Sequence, residues 1–113
     1  AAANATLDIF ETENVIENNK LLSTVMEEAL KRFPLMKVVK ETRQCGMIGV
    51  IELHELYPNE RIGVKIHRAC LTKGVLIRPL GNVIYVMPPY VITPRELEWV
   101  FEVIESVLNE LCV

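Results

Sequence analysis

Between Thr93 and Leu111 the apolar residues Leu97, Val100, Phe101, Ile104, Leu108 and Leu111 recur at intervals of three and four. That spacing is one face of a helix. The helix start is written into the residues before it. Thr93 stands as a cap, Pro94 takes the favoured first helical position, and Glu96 follows Thr93 by three residues, the spacing of a capping box. A helix with one apolar face must bury it against another layer. No apolar run in the chain approaches the roughly 20 residues that would let a bilayer play that part. Half of the 113 residues are hydrophobic, enough to bury a core of ordinary size.

The remaining elements are punctuated by proline and glycine. Asn14 and Glu17 have capping-box spacing, and Leu22, Val25, Met26, Ala29, Leu30 and Phe33 form a second helical stripe that Pro34 is expected to end. Residues 37–43 and 47–53 read as strands joined at Gln44-Cys45-Gly46, the second apolar enough to suit a strand covered on both faces. Pro58-Asn59 opens a further helix with Asn59 as its cap. Ile62, Ile66, Ala69 and Cys70 are its buried stripe, and Gly74 closes it in a left-handed conformation. Residues 75–78 read as a short strand, Pro79-Leu80-Gly81-Asn82 as a turn, and 83–87 as a strand that Pro88-Pro89 stops. The expected fold is an α/β (α+β) sandwich, a single domain over residues 1–113 whose small, mostly antiparallel sheet is covered by helices. Ala1-Ala2-Ala3-Asn4-Ala5 reads as the inside of a helix, and we expect the chain to be a piece of a longer one.

Several function classes fall away on composition and spacing. Twelve basic residues against fifteen acidic ones give a net charge of −3, with the bases scattered among acids, as in Glu60-Arg61 and Arg95-Glu96. Nucleic-acid binding needs clustered positive charge, so it is not expected. The cysteines Cys45, Cys70 and Cys112 form no CxxC pair and read as free thiols of a reducing cytoplasm. His54 lies between Glu52 and Glu55, but not with HExxH spacing, and reads as a solvated strand end. His67 falls off the apolar stripe of its helix and reads as a surface residue. Ser23 and Ser106 have no histidine and acid beside them, and neither GxSxG nor a phosphate-cradling glycine loop occurs.

One candidate site remains. Arg78 ends an apolar run and is held between Ile77 and Pro79, and a rigidly held guanidinium offers a planar fork of donors to a carboxylate. Tyr85 and Tyr90 follow closely enough to add ring surface and hydroxyls. A solvated charge at a strand end is the alternative reading of Arg78.

The run Arg78-Pro79-Leu80-Gly81-Asn82-Val83-Ile84-Tyr85-Val86-Met87-Pro88-Pro89-Tyr90 resembles the C-terminal portion of class III pyridoxal-phosphate aminotransferases, most specifically the biotin-pathway members. Ala1 to Leu7 is similar to the helix after that family's cofactor-binding Gly-Pro-Thr segment, and Gly46-Met47-Ile48-Gly49-Val50 to a strand of its small domain. The resemblance implies the C-terminal small domain of a cytoplasmic, homodimeric enzyme. With pyridoxal 5'-phosphate, such an enzyme moves an amino group from S-adenosylmethionine to 8-amino-7-oxononanoate. It also implies that Arg78 binds the substrate carboxylate and that Tyr85 lines the same pocket. The cofactor's Schiff-base lysine is expected upstream, in the large domain. None of Lys20, Lys31, Lys37, Lys40, Lys65 and Lys73 sits in a matching context, so these residues alone are expected to hold no catalytic group, bind no cofactor and be inactive. Two alternatives stay open: the small domain of another class III ω-amino-acid aminotransferase, and a non-catalytic carboxylate-binding module.

Overall fold

The computed structural model describes residues 1–54 and 62–111. Along the chain run helices α1 (Ala2–Thr12) and α2 (Val15–Leu30), strands β1 (Val39–Cys45) and β2 (Ile48–Leu53) and helix α3 (Ile62–Thr72). Strands β3 (Arg78–Leu80) and β4 (Val83–Val86) and helix α4 (Pro94–Leu111) complete it. The four strands form one antiparallel sheet in the order β1-β2-β4-β3, so two hairpins join edge to edge through β2 and β4. This is the expected α+β arrangement. The expected opening of α3 at Pro58-Asn59, the Asn59 cap, Glu55 and Cys112 lie outside the described residues.

Helix α4 begins as its sequence predicts. The Thr93 hydroxyl accepts from the Glu96 N–H at 3.1 Å, and the Thr93 N–H donates back to the Glu96 carboxylate at 3.1 Å. Two amides that have no partner within the helix are satisfied reciprocally. Helix α2 behaves differently. Asn14 precedes it in the left-handed region with φ 50° and makes no side-chain cap. Asn18 instead donates from its amide to the Glu13 carbonyl at 3.2 Å. The helix ends at Leu30 rather than at Pro34, which lies in a 3₁₀ turn over Phe33–Leu35.

One core lies on one face of the sheet. Gly49, Ile51 and Leu53 of β2 and Ile84 and Val86 of β4 are buried. They meet Leu22, Met26 and Leu30 of α2, Ile66 and Cys70 of α3, and Leu97, Phe101, Ile104 and Leu108 of α4 in a single cluster. Phe33 and Phe101 pack edge to face with centroids 6.0 Å apart. Alternate residues point the other way: Ile48 is exposed, and Val50, Glu52, Val83 and Tyr85 are half-buried. Strand β2 is therefore covered on one face only, which corrects the expectation of two. Gly49 stands at a buried position, where a Cβ would lie 3.0 Å from the Met26 sulfur.

The second hairpin also differs in register from the sequence reading. Residues 75–77 precede the strand rather than forming it, with the Val75 N–H donated to the Cys70 carbonyl at 2.9 Å. Pro79 and Leu80 belong to β3, and the turn is Gly81-Asn82 alone. Proline has no N–H for a ladder, but β3 is an edge strand with one side unpaired, and there proline is accommodated.

Truncating the α4 cap should show directly in stability. Thr93→Ala is expected to cost about 1 kcal/mol. Urea unfolding of the variant should show a lower midpoint at unchanged slope.

Candidate functional site

Arg78 and Tyr85 are directly opposed in the β3–β4 ladder. Cross-strand partners share a face. Since Ile84 and Val86 point into the core, Tyr85 and Arg78 stand on the open face. The row continues across the sheet through Val50 to Arg43. Three constraints hold the Arg78 backbone. Before it, the buried Ile77 anchors the chain in the core. After it, Pro79 restricts Arg78 to extended conformations. Across from it, Tyr85 supplies the ladder.

The turn that follows is pinned as well. The Asn82 side chain donates to the Leu53 carbonyl at 2.6 Å, and the Leu53 N–H donates to the Asn82 carbonyl at 2.9 Å. Helix α3 presses on the same turn through Gly63. A Cβ there would lie 3.2 Å from the Pro79 Cβ and would collide with the Gly81 carbonyl oxygen. Nothing local in the sequence marks Gly63, because the contact joins segments 18 residues apart only once the helix has folded back.

Arg78 and Tyr85 line one groove of about 440 Å³, together with the 74–77 segment, Met87, Pro88, Pro89, Trp99 and Val100. Trp99 was not singled out by sequence, since it lies off the apolar stripe of α4. Leu76 and Met87, 76% and 61% exposed, stand at the mouth. Tyr90, expected beside Arg78, is not among the lining residues. Beyond Pro88-Pro89 it packs toward Phe10 of α1, with ring centroids 6.4 Å apart.

Five of the other bases are paired within the fold, while Lys20, Lys37, Arg68 and Arg95 share with Arg78 the lack of an ion pair among the described residues, and of these Arg78 is the one that lines the groove. Arg43 lies 3.4 Å from Glu41 and 3.6 Å from Glu52, and Lys40 also approaches Glu52. Lys73 pairs with Glu110, Arg32 with Glu105 and Lys31 with Glu28. Among the described residues, Arg78 has neither an ion pair nor a hydrogen bond to its guanidinium. It is a cation with all five donors available, across the ladder from a tyrosine, on the wall of a largely apolar groove. That arrangement suits a carboxylate carried on an apolar body.

It does not suit an aldehyde cofactor. No lysine lines the groove, and no second cation is there to share a phosphate. The lining residues of this groove therefore do not fit pyridoxal phosphate. Among the described residues no cluster of histidine, cysteine and acid is placed to hold a metal ion.

The remaining candidates separate as follows. His54 is exposed, as expected. His67 is half-buried rather than on the surface, and its Nδ1 lies 3.0 Å from the Ile77 carbonyl oxygen. Ser23 and Gln44 tie α2 to the first hairpin, with Gln44 donating to the Ser23 carbonyl at 2.7 Å. Ser106 accepts from Lys73. Cys45 is an exposed free thiol, whereas Cys70 is buried in the core. Burial pushes the Cys70 thiol up to about 11, with Lys73 acting weakly in the opposite direction.

A family model described as Aminotransferase class-III matches residues 1–108. A Helicobacter pylori protein named adenosylmethionine-8-amino-7-oxononanoate aminotransferase is 44% identical over 115 residues, covering 98% of this chain and 26% of its own length. The crystal structure of the enzyme of that name from Methanocaldococcus jannaschii superposes with a TM-score of 0.90 at 32% identity. The match takes in 96% of this chain and 26% of that one. At lower identity, 28% over 117 residues, stands a mitochondrial gamma aminobutyrate transaminase of Solanum lycopersicum, with 97% of this chain and 23% of that protein covered. The chain thus spans about a quarter of the length of the curated relatives it matches. No described helix is long and apolar enough to cross a membrane.

Two outcomes test this geometry. Gly63→Ala is expected to cost about 1–3 kcal/mol, because the new methyl meets backbone rather than a yielding side chain. Its unfolding midpoint should fall despite the better helix propensity of alanine. For Cys70 the proton is held more tightly in the folded state, so its stabilisation is intact below the ordinary value of 9.0 and is lost as pH rises toward about 11. The urea midpoint should decline across that window, and less steeply in Cys70→Ala.

Proposed function

The chain belongs to the class III aminotransferase family, and from that premise we propose that it is the C-terminal small domain of an enzyme that aminates 8-amino-7-oxononanoate with S-adenosylmethionine as donor. The observation that carries this reading is Arg78, a cation without an ion pair on the wall of an apolar groove, with Tyr85 directly across the ladder. Its role is to grip the carboxylate of the oxo acid, while Met87, Pro88 and Trp99 pack against the aliphatic part of the substrate.

Class III aminotransferases use pyridoxal 5'-phosphate, which supplies the amino-group chemistry when bound. On this proposal its lysine and phosphate site belong to the part of the enzyme that this chain does not span, and residues 1–113 by themselves neither bind it nor catalyse. What this domain contributes is orientation. A fixed guanidinium sets the distance between the carboxylate and the reacting carbon, so an acid of the wrong length is bound without being presented correctly. The large domain of the same chain completes the site, in a cytoplasmic homodimer.

A second reading keeps the family and changes the substrate to another ω-amino acid. The likeness to the tomato transaminase favours it, since an arginine reads a carboxylate and not a whole molecule.

The test uses the full-length polypeptide that carries this chain. S-adenosylmethionine should convert the cofactor's absorbance to the amine form, and 8-amino-7-oxononanoate should restore it. Arg78→Ala should raise the KM for the oxo acid about 10- to 100-fold, the loss expected for charge-assisted hydrogen bonds, while leaving the cofactor absorbance unchanged. Conversion by a different amine alone would transfer the assignment to the second reading. Unchanged kinetics in Arg78→Ala would remove Arg78 from the site.

A further inference from the structure

The backbone immediately before Arg78 is held by a side chain from another element. His67, half-buried on α3, places its Nδ1 3.0 Å from the carbonyl oxygen of Ile77. A carbonyl oxygen only accepts, so the hydrogen must sit on Nδ1. The peptide unit is planar, and the Ile77 carbonyl and the Arg78 N–H belong to the same plane. Fixing that oxygen fixes the orientation of the plane and thereby the direction in which the Arg78 side chain leaves the backbone.

The constraint is needed at this point. Residues 75–77 belong to no helix or strand, and Gly74 before them has φ 91°. Strand β3 is an edge strand of only three residues. Pro79 limits Arg78 on its C-terminal side, and Tyr85 pairs with it across the ladder from the β4 side, which leaves the Ile77 carbonyl at the opposite side of the preceding peptide plane to be held. Helix α3 supplies that second hold through His67, one turn beyond Gly63, which packs on the far end of the same strand.

We propose that His67 is a positioning residue for Arg78, aiming its guanidinium into the groove by holding the Ile77–Arg78 peptide. The inference rests on the assignment of Arg78 as the carboxylate-binding residue. His67 itself touches no substrate. Its hydrogen bond, not its ring volume, is the working part.

Two substitutions separate those properties. His67→Phe keeps a ring of similar size and has no donor. His67→Asn loses the ring but carries an amide nitrogen the same number of bonds from Cα as Nδ1. In the full-length enzyme, His67→Phe should raise the KM for the carboxylate-bearing oxo acid about fivefold, the scale of one net hydrogen bond, with kcat changed less than twofold. His67→Asn should recover most of that loss. In an Arg78→Ala background, His67→Phe should have no further effect on KM, because a positioning residue has nothing left to position.

A merely structural role predicts the opposite pattern: Phe tolerated, Asn damaging, and an effect that persists without Arg78. Any of these overturns the proposal. Should Arg78→Ala leave the kinetics intact, the carboxylate assignment fails and this inference falls with it, whereas an active-site Arg78 with a silent His67→Phe rejects this inference alone. A measurement on the unaltered enzyme needs no variant to fold: the ring-nitrogen NMR shifts of His67 should place the proton of the neutral ring on Nδ1. A proton on Nε2 with a bare Nδ1 would exclude the hydrogen bond and overturn the proposal.

Discussion

A four-stranded sheet in a chain of this size buries one face, and the rest of the molecule follows from which face that is. Each fully buried leucine, isoleucine or phenylalanine contributes about 1.5–3 kcal/mol, while exposed ion pairs such as Lys31–Glu28 contribute about 0–1 kcal/mol. The apolar residues therefore decide. Ile51, Leu53, Ile84 and Val86 turn inward against the helices, and the two-residue period of a strand then sends Val50 and Tyr85 outward. Arg78 is carried out with its partner Tyr85. The candidate groove opens at this edge of the sheet, where Arg78 and Tyr85 meet the 74–77 segment and α4.

The same row carries two arginines that differ in kind. Arg43 and Arg78 lie three strand spacings apart, roughly 14 Å. Arg43 has acids on its own strand and on β2, and its charge is answered within the fold. Arg78 has β4 on one side only, and β4 presents Tyr85 there and no acid. An edge position beside a strand of neutral residues leaves a guanidinium available to a ligand. A position among carboxylates, as Arg43 has on the opposite edge strand, consumes it.

Local signals in the sequence were sufficient where an element is specified by its own residues. The Thr93–Glu96 capping box, the pairing of the strands into two hairpins, the stripe of α4 and the closing role of Gly74 are all of that kind, although the turn expected at Gln44-Cys45-Gly46 lies at Gly46-Met47, with Cys45 still in β1. What escaped was set across the chain. Pro79 suggests a turn by its identity, yet an unpaired sheet edge admits it to a strand. The run Ile48 to Leu53 looks doubly covered, because the composition of a strand does not report how many layers flank it. His67 appears solvated when only its own helix is considered, and its partner comes from beyond Gly74. Tyr90 is close to Arg78 in sequence, but Pro88-Pro89 redirect the chain and leave it against Phe10.

Trp99 has a consequence of a different sort. It is the single tryptophan of the chain, it is 44% exposed, and its ring edge lies 3.5 Å from where a side chain on Gly74 would begin. The indole thus stands on the wall of the groove, in partial contact with water. A molecule filling that space would strip solvent from the ring, and its emission would shift toward the blue. Within this domain the groove carries its own optical reporter, one that responds to occupancy whatever the chemical identity of the occupant.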